Sequence, residues 1–316
     1  MTREIIKITS EEQWLALREK DITSTKMAAL LDMSPYSTAF EVYHAQRSGL
    51  QVPFDATDRM RKGQRIEAYI ANEIAILKGW EVRPIEEYIR IPELNMAASF
   101  DFEYTKPCGT VGIIEIKGVD YFQHKQNWDP ADMEGGETTP YIEVQLQHQF
   151  ECADRYEEGV IVAATSIYDF HIYERKRDRE FGAALRDTVK TFWADVSAGN
   201  EPEPNFYRDG KVIDELYRNA GGEPVDMSDN SAFNALVAEY AALGIECSTF
   251  DKKRRAVKAE IHRVLEVDGG AFTDDFKVTA TWTKDSEGKM ITEDMVGTIT
   301  GARKGYRQCR VTALRK

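Results

Sequence analysis

The stretch Ser99–Lys117 constrains this chain more than any other, because it reads as two short strands joined by one tight turn. Lys106-Pro107-Cys108-Gly109 supplies the turn: proline pre-sets the backbone at the second position and glycine suits the fourth. Beyond it, Val111 to Val119 is short, β-branched and apolar, which predicts a largely buried strand rather than a helix. Period-two alternation puts Glu115 and Lys117 on one face of that strand and Ile114 and Ile116 on the other. Asp101 lies on the partner strand, where pairing across the turn can bring it beside Glu115.

Two carboxylates and a lysine converging at a strand end suit metal-assisted phosphodiester hydrolysis. Mg²⁺ usually takes only one or two protein carboxylates, completing its shell with waters and phosphate oxygens. Lys117 would then orient the attacking water or help deprotonate it. The same spacing also serves a surface salt bridge on a hairpin, so the flanking residues carry the decision. Upstream, Gly63-Gln64-Arg65-Ile66-Glu67 sits in a helical pattern. Downstream, Pro140-Tyr141-Ile142-Glu143-Val144-Gln145-Leu146-Gln147 opens another helix.

With Ser99-x-Asp101 and Glu115-x-Lys117 between those helices, the order of motifs resembles the lambda-type, YqaJ-like phage exonucleases of the PD-(D/E)XK nuclease superfamily. The resemblance runs from about Arg18 to Tyr173. It implies an α/β fold with a restriction-endonuclease-like mixed sheet flanked by helices, and Mg²⁺-dependent hydrolysis of duplex DNA from its 5′ ends that leaves 3′ overhangs. Asp101, Glu115 and the carbonyl of Ile116 would bind one ion and Glu67 a second, with Mn²⁺ as an alternative to Mg²⁺. Two ions about 4 Å apart would stabilise the entering and leaving oxygens together. Gln145 would point toward the site as an uncharged amide. The resemblance further implies double-stranded DNA ends as substrate, a single-strand annealing protein as partner, a ring-shaped homo-oligomer, and a phage or prophage origin in a bacterial host. Ser99-Phe100-Asp101-Phe102 replaces the commoner Ser-Pro-Asp-Gly, and Gly118 follows the lysine where threonine is frequent. Two other readings stay open: an endonuclease of the same superfamily, and a non-catalytic DNA-binding or annealing module.

Toward the amino end, Ser10-Glu11-Glu12-Gln13 is a capping-box signature. Thr23-Ser24-Thr25 caps a second helix, Lys26 to Asp32, whose free amides offer a phosphate site. The resemblance assigns a terminal 5′-phosphate to an arginine and a serine here, and the matching residues are Arg18 and Thr25. Further helices are predicted at Thr38 to Ser48, Asp58 to Lys78, Pro140 to Phe150 and Asp178 to Ala198. Strands are predicted at Glu81 to Ile91, Gly159 to Thr165 and Asp169 to Glu174. Gly63 and Glu67 fall on one helical face, and a glycine there would allow substrate backbone to come close. Residues 118–139 read as a loop whose aromatic and basic residues could grip DNA or simply pack it down.

The net charge of −13 looks wrong for an enzyme acting on a polyanion, so any DNA channel must be a local basic patch on an acidic exterior. Cys108, Cys152, Cys247 and Cys309 are scattered with no C-x₂-C pair, which argues against a zinc site, a disulfide framework or an iron–sulfur cluster. The start, Met1–Lys7, lacks an apolar signal core, and no apolar run approaches the roughly 20 residues of a membrane span. A cytoplasmic protein is expected.

The predicted organisation is a nuclease domain over residues 1–200, a linker over 201–229, and a small basic α+β accessory domain over 230–316. Glu201-Pro202-Glu203-Pro204 is the clearest linker signal. In the accessory domain, Ser231 to Leu243 and Phe250 to Val267 read as a helical hairpin broken at Gly244. Phe276 to Trp282 and Tyr306 to Leu314 read as strands. Arg303 to Lys316 holds six basic residues and no acidic one, which makes this lobe a candidate for extra DNA contact.

Overall fold

The turn at Lys106–Gly109 closes as the sequence requires. Gly109 N donates to Lys106 O at 2.8 Å, and Lys106 N donates to Thr110 O at 2.8 Å. Gly109 sits at φ +87°, a left-handed conformation that a side chain would strain.

The computed structural model describes residues 1–50, 58–131, 136–266, 270–272 and 277–280. Strand β1 spans Glu4–Lys7, and helices α1 to α4 span Glu11–Lys20, Ser24–Leu30, Ala39–Ser48 and Asp58–Lys78. Strands β2 to β6 follow at Glu81–Pro84, Glu87–Ile91, Met96–Ala98, Phe102–Thr105 and Val111–Gly118. Then come α5 (Tyr121–Asn127), α6 (Pro140–Ala153), β7 (Glu158–Ala164), β8 (Phe170–Lys176), α7 (Arg179–Ala198) and α8 (Gly210–Leu216). These elements belong to one unit, Met1–Tyr217; a second, Arg218–Lys316, holds α9 (Ser231–Leu265) and a β9–β10 pair at Gly270–Phe272 and Lys277–Thr279. Among the described residues no helix is long and apolar enough to cross a membrane.

The first unit is an α/β fold built on a five-stranded mixed sheet, β2-β5-β6-β7-β8, with helices on both faces. Strand β6 is central, antiparallel to β5 and parallel to β7, as the apolar run at Val111–Val119 predicts. Its alternation sorts the two faces. Ile114 and Ile116 pack with Ile70 and Ile74 of α4, while Ile113 joins Ile142, Leu146 and Phe150 of α6 on the opposite face. Glu115 and Lys117 share the parity of Ile113, so the site lies on the α6 face.

Several elements depart from the sequence reading. The strand expected over Glu81–Ile91 is two strands in different sheets, because the chain changes partner after Ile85, whose N–H still donates to Asp101 O at 3.2 Å, while Glu86 O accepts from Ile8 N at 2.9 Å: β2 pairs with β5, whereas β3 lies between β1 and β4. The expected loop over 118–139 contains α5, started by Asp120, whose Oδ1 accepts from Phe122 N at 3.0 Å. Part of the expected linker folds onto the first unit. The buried Asp209 accepts from Thr38 Oγ1 at 2.5 Å, and Arg208 donates to Ser37 O at 2.9 Å. The expected helical hairpin is instead the single 35-residue helix α9, which runs through Gly244. An exposed mid-helix glycine costs only about 1 kcal/mol relative to alanine, too little to break so long a helix. Tyr306–Leu314 and the basic tail lie outside the described residues, as do the side chains of residues 58–65, Gly63 and Arg65 among them.

Helix α6 is tied to β4, the strand that leads toward Asp101. His148, fully buried, donates from Nε2 to Ala97 O at 2.9 Å, and its Nδ1 has no partner among the described residues. Burial lowers its pKa from the ordinary 6.5 to about 4. The ring is therefore neutral in the fold, while the unfolded chain binds the proton near pH 6.5. Stability from this group is complete above that pH and is lost as pH falls from 6.5 toward 4, about 2 kcal/mol by pH 5. Urea unfolding at pH 7.5 and pH 5 should show that loss, and His148→Gln, whose amide can still donate to Ala97, should shrink it. Equal losses in both proteins would exclude His148 as the source.

Candidate functional site

Asp101 follows β4 by three residues and immediately precedes β5. Register continued one residue past the Phe102–Ile114 pair sets it opposite Glu115. Its Oδ2 accepts from Ile116 N at 2.9 Å, and Oδ1 accepts no hydrogen bond from the described residues. Burial and the neighbouring Glu115 push the Asp101 carboxyl well above its usual range, against the opposing pull of Lys117.

Glu115 is 1% exposed and fully engaged. Oε1 accepts from Gln145 Nε2 at 2.6 Å and from Lys117 Nζ, and Oε2 accepts from Gln149 Nε2 at 2.6 Å. Burial works against the charge on Lys117, yet Glu115 and Asp101 outweigh it and hold the ammonium above the ordinary lysine value. One cation thus pairs directly with Glu115 and acts through space on Asp101, leaving two carboxylates to a single positive charge. That is an electrostatic deficit.

Glu67 stands apart from this cluster. It lies on α4, the helix packed on the other face of the sheet, and makes no hydrogen bond to the other site residues. It feels them electrostatically: burial raises its carboxyl, Lys117 lowers it and Glu115 raises it. Among the described residues no three His, Cys, Asp or Glu side chains converge closely enough to hold a metal ion. Asp101, Glu115 and the Ile116 carbonyl form a hard-oxygen set of the kind Mg²⁺ accepts, since that ion needs few protein carboxylates. Oδ1 of Asp101, which accepts no hydrogen bond from the described residues, is the oxygen of this set open to an ion.

Arg18 and Thr25 meet beside the site. Arg18 Nη2 donates to Thr25 Oγ1 at 3.3 Å, and its guanidinium stacks over the Trp14 ring at 4.3 Å from the centroid. Trp14 Nε1 in turn donates to Ser99 Oγ at 2.8 Å, two residues before Asp101. Burial lowers the pKa of Arg18, while Tyr88 and Glu115 act in the opposite direction. Lys26 closes the C-terminal turn of α1, donating to Arg18 O at 2.6 Å and Asp21 O at 2.9 Å. Burial, then the charge on Arg18, lowers its pKa to about 8. Ile22 bridges to Met96 of β4, so this corner is joined to the strand that leads into Asp101.

Gln149 was not among the sequence candidates. Its Nε2 donates to both Ser99 O, at 3.0 Å, and Glu115, joining the segment that carries Asp101 to the strand that carries Glu115. The signal was present: Gln145 and Gln149 are four apart and share a helix face. Tyr141 was also missed as a site neighbour. Its ring stands edge-on to Tyr36 at 5.8 Å, and its hydroxyl lies within the field of Lys117.

Comparison with known proteins finds similarity in the same part of the chain. Residues 13–156 match the YqaJ-like viral recombinase domain. That stretch contains Arg18, Thr25, Glu67, Asp101, Glu115, Lys117, Gln145 and Gln149. The chain is also 26% identical over 194 residues to the uncharacterized protein YqaJ of Bacillus subtilis (strain 168), a match covering 61% of this chain and 58% of that protein. Two solved structures of LHK-Exo are similar to it: an alkaline exonuclease from Laribacter hongkongensis, at 22% identity and TM-score 0.46, and LHK-Exo in complex with dAMP, at 21% and 0.47. These matches cover 64% and 65% of this chain and 98% of each solved chain.

Proposed function

We propose that this chain is a Mg²⁺-dependent deoxyribonuclease that degrades linear duplex DNA from its 5′ ends, leaving 3′ single-stranded overhangs for phage-type recombination. The observation that supports it best is the buried Glu115, paired with Lys117 and set opposite Asp101, within the region matching a recombinase domain. Asp101, Glu115 and the Ile116 carbonyl would hold the ion; Glu67 is the candidate for a second one. The metal, or Mn²⁺ in its place, supplies Lewis acidity at the scissile phosphate and a more acidic bound water. Gln145 and Gln149 fix the rotamer of Glu115, which keeps the donor set organised. Glu115 and Asp101 hold the Lys117 ammonium charged in the metal-free protein, which suits it to donate a hydrogen bond that orients water or a phosphate oxygen.

Polarity is the part assigned to Arg18 and Thr25. A guanidinium and a hydroxyl already within hydrogen-bonding distance of each other form a receptor for a terminal phosphate. Duplex DNA ends, a single-strand annealing protein and a ring-shaped homo-oligomer are the partners proposed with this activity.

The test uses linear and covalently closed duplexes with Mg²⁺, the linear ones carrying 5′-phosphate or 5′-hydroxyl ends. Mononucleotide release from linear DNA alone is expected; cutting of closed circles would instead favour an endonuclease. Arg18→Ala should slow digestion of phosphorylated ends about tenfold, since a charge-assisted hydrogen bond is worth roughly 1.5–3 kcal/mol, and change hydroxyl ends much less. Equal losses on both ends would make Arg18 a general backbone contact.

A further inference from the structure

The long helix of the second unit carries a pattern that the nuclease site does not use. Along α9, positions Phe233, Tyr240, Cys247, Arg254 and Ile261 recur every seven residues. A second series, Leu236, Leu243, Phe250, Val257 and Val264, recurs at the same period and follows the first by three. Together they make an unbroken three-four spacing over the helix, the a and d positions of a coiled-coil seam. No residue of α9 is buried, and the large apolar members of the seam, tyrosine included, are 39–84% exposed. A stripe of this kind is stabilised by burial against another helix.

Charge selects the occupant. Ser231–Ser248 contains Glu239 and Glu246 and no Lys or Arg, whereas Thr249–Leu265 contains six Lys and Arg against Asp251 and Glu260. A copy of the same helix running the opposite way lays the acidic half on the basic half. We infer that a second copy of this chain packs antiparallel along α9, about a two-fold axis crossing it between Cys247 and Phe250.

The register is self-complementary. Turning the helix end for end pairs Phe233 with Val264, Leu236 with Ile261, Tyr240 with Val257 and Cys247 with Phe250 of the second copy. Arg254 falls against Leu243, with its head toward the acidic half, and Glu246 flanks Lys253 of the second copy. One like-charged pair, Glu239 with Glu260, falls nearer the ends. The parallel in-register alternative relieves that one pair but is worse at the centre of the seam. It sets Arg254 against Arg254, Glu246 beside Asp251 and Lys253 beside Lys258. Such a two-fold contact is isologous and closes on itself, so it can join two subunits whatever other association the nuclease unit makes.

Light scattering on the full chain, and on one carrying Leu243→Glu with Phe250→Glu, measures the association. The variant should have half the mass of the unsubstituted assembly; an unchanged mass would overturn the inference. Orientation is read in a background of Cys108→Ser, Cys247→Ser and Cys309→Ser, with a short bismaleimide. Leu236→Cys chains mixed with Ile261→Cys chains should cross-link to each other. Cross-linking of Leu236→Cys chains among themselves, or no product in the mixture, would overturn the antiparallel pairing.

Discussion

Glu115→Gln should lower the rate of DNA cleavage by about 10³-fold while the protein still binds duplex DNA. Preorganised charge at the reacting centre is commonly worth that much, and the substitution removes the charge while keeping the shape. The surroundings make this more than a simple neutralisation. Glu115 accepts at both oxygens, from Gln145 and Lys117 on one and from Gln149 on the other. A glutamine presents one acceptor and one donor, so one of the buried amides then meets a donor. Gln149 cannot resolve this by turning over, because its Nε2 also donates to Ser99 O. A stability loss of about 1–3 kcal/mol should accompany the lost activity. Single-turnover digestion of a linear duplex measures the first effect and urea unfolding the second. Cleavage within tenfold of the original rate would remove Glu115 from the chemistry.

How much of this was legible beforehand follows from the range of each interaction. The hairpin from Ser99 to Lys117 could be read because turn chemistry and strand alternation are local. The same rules put Glu115 and Lys117 on one face and Asp101 opposite. What sequence spacing could not give was which layer covers that face. Glu67 sits on a helix of the other layer, so its approach depends on packing across the sheet and not on its distance along the chain. The clamp from Gln149 to Ser99 joins positions 50 residues apart and depends on α6 crossing the strand that leads to Asp101. Asp209 is a similar case. A Pro-Glu-Pro stretch reads as linker, and only the docking of residues 205–216 onto α3 shows that this aspartate is buried against Thr38. Gly244 misled in the opposite sense, since a local breaker was outweighed by the length of helix on both sides of it.

Lys117→Met should produce the largest change in the metal-free protein. The substitution keeps the length of the side chain and removes the cation paired with Glu115 and acting through space on Asp101. Breaking a fully buried pair costs 3–5 kcal/mol, but the Lys117 side chain is 27% exposed, so about 2–3 kcal/mol is expected. For a unit of this size that is a fall in melting temperature of roughly 5–10 °C in the presence of a chelator. A divalent ion between the same carboxylates would restore the missing charge. Mg²⁺ should therefore raise the melting temperature of the variant more than that of the unsubstituted chain, although turnover stays low because the ion does not replace the ammonium as a donor to water. Melting curves of both proteins in chelator and in Mg²⁺ separate these effects. Identical shifts would mean that the lysine and the ion do not compete for one electrostatic deficit, and the metal site would have to be sought away from Asp101 and Glu115.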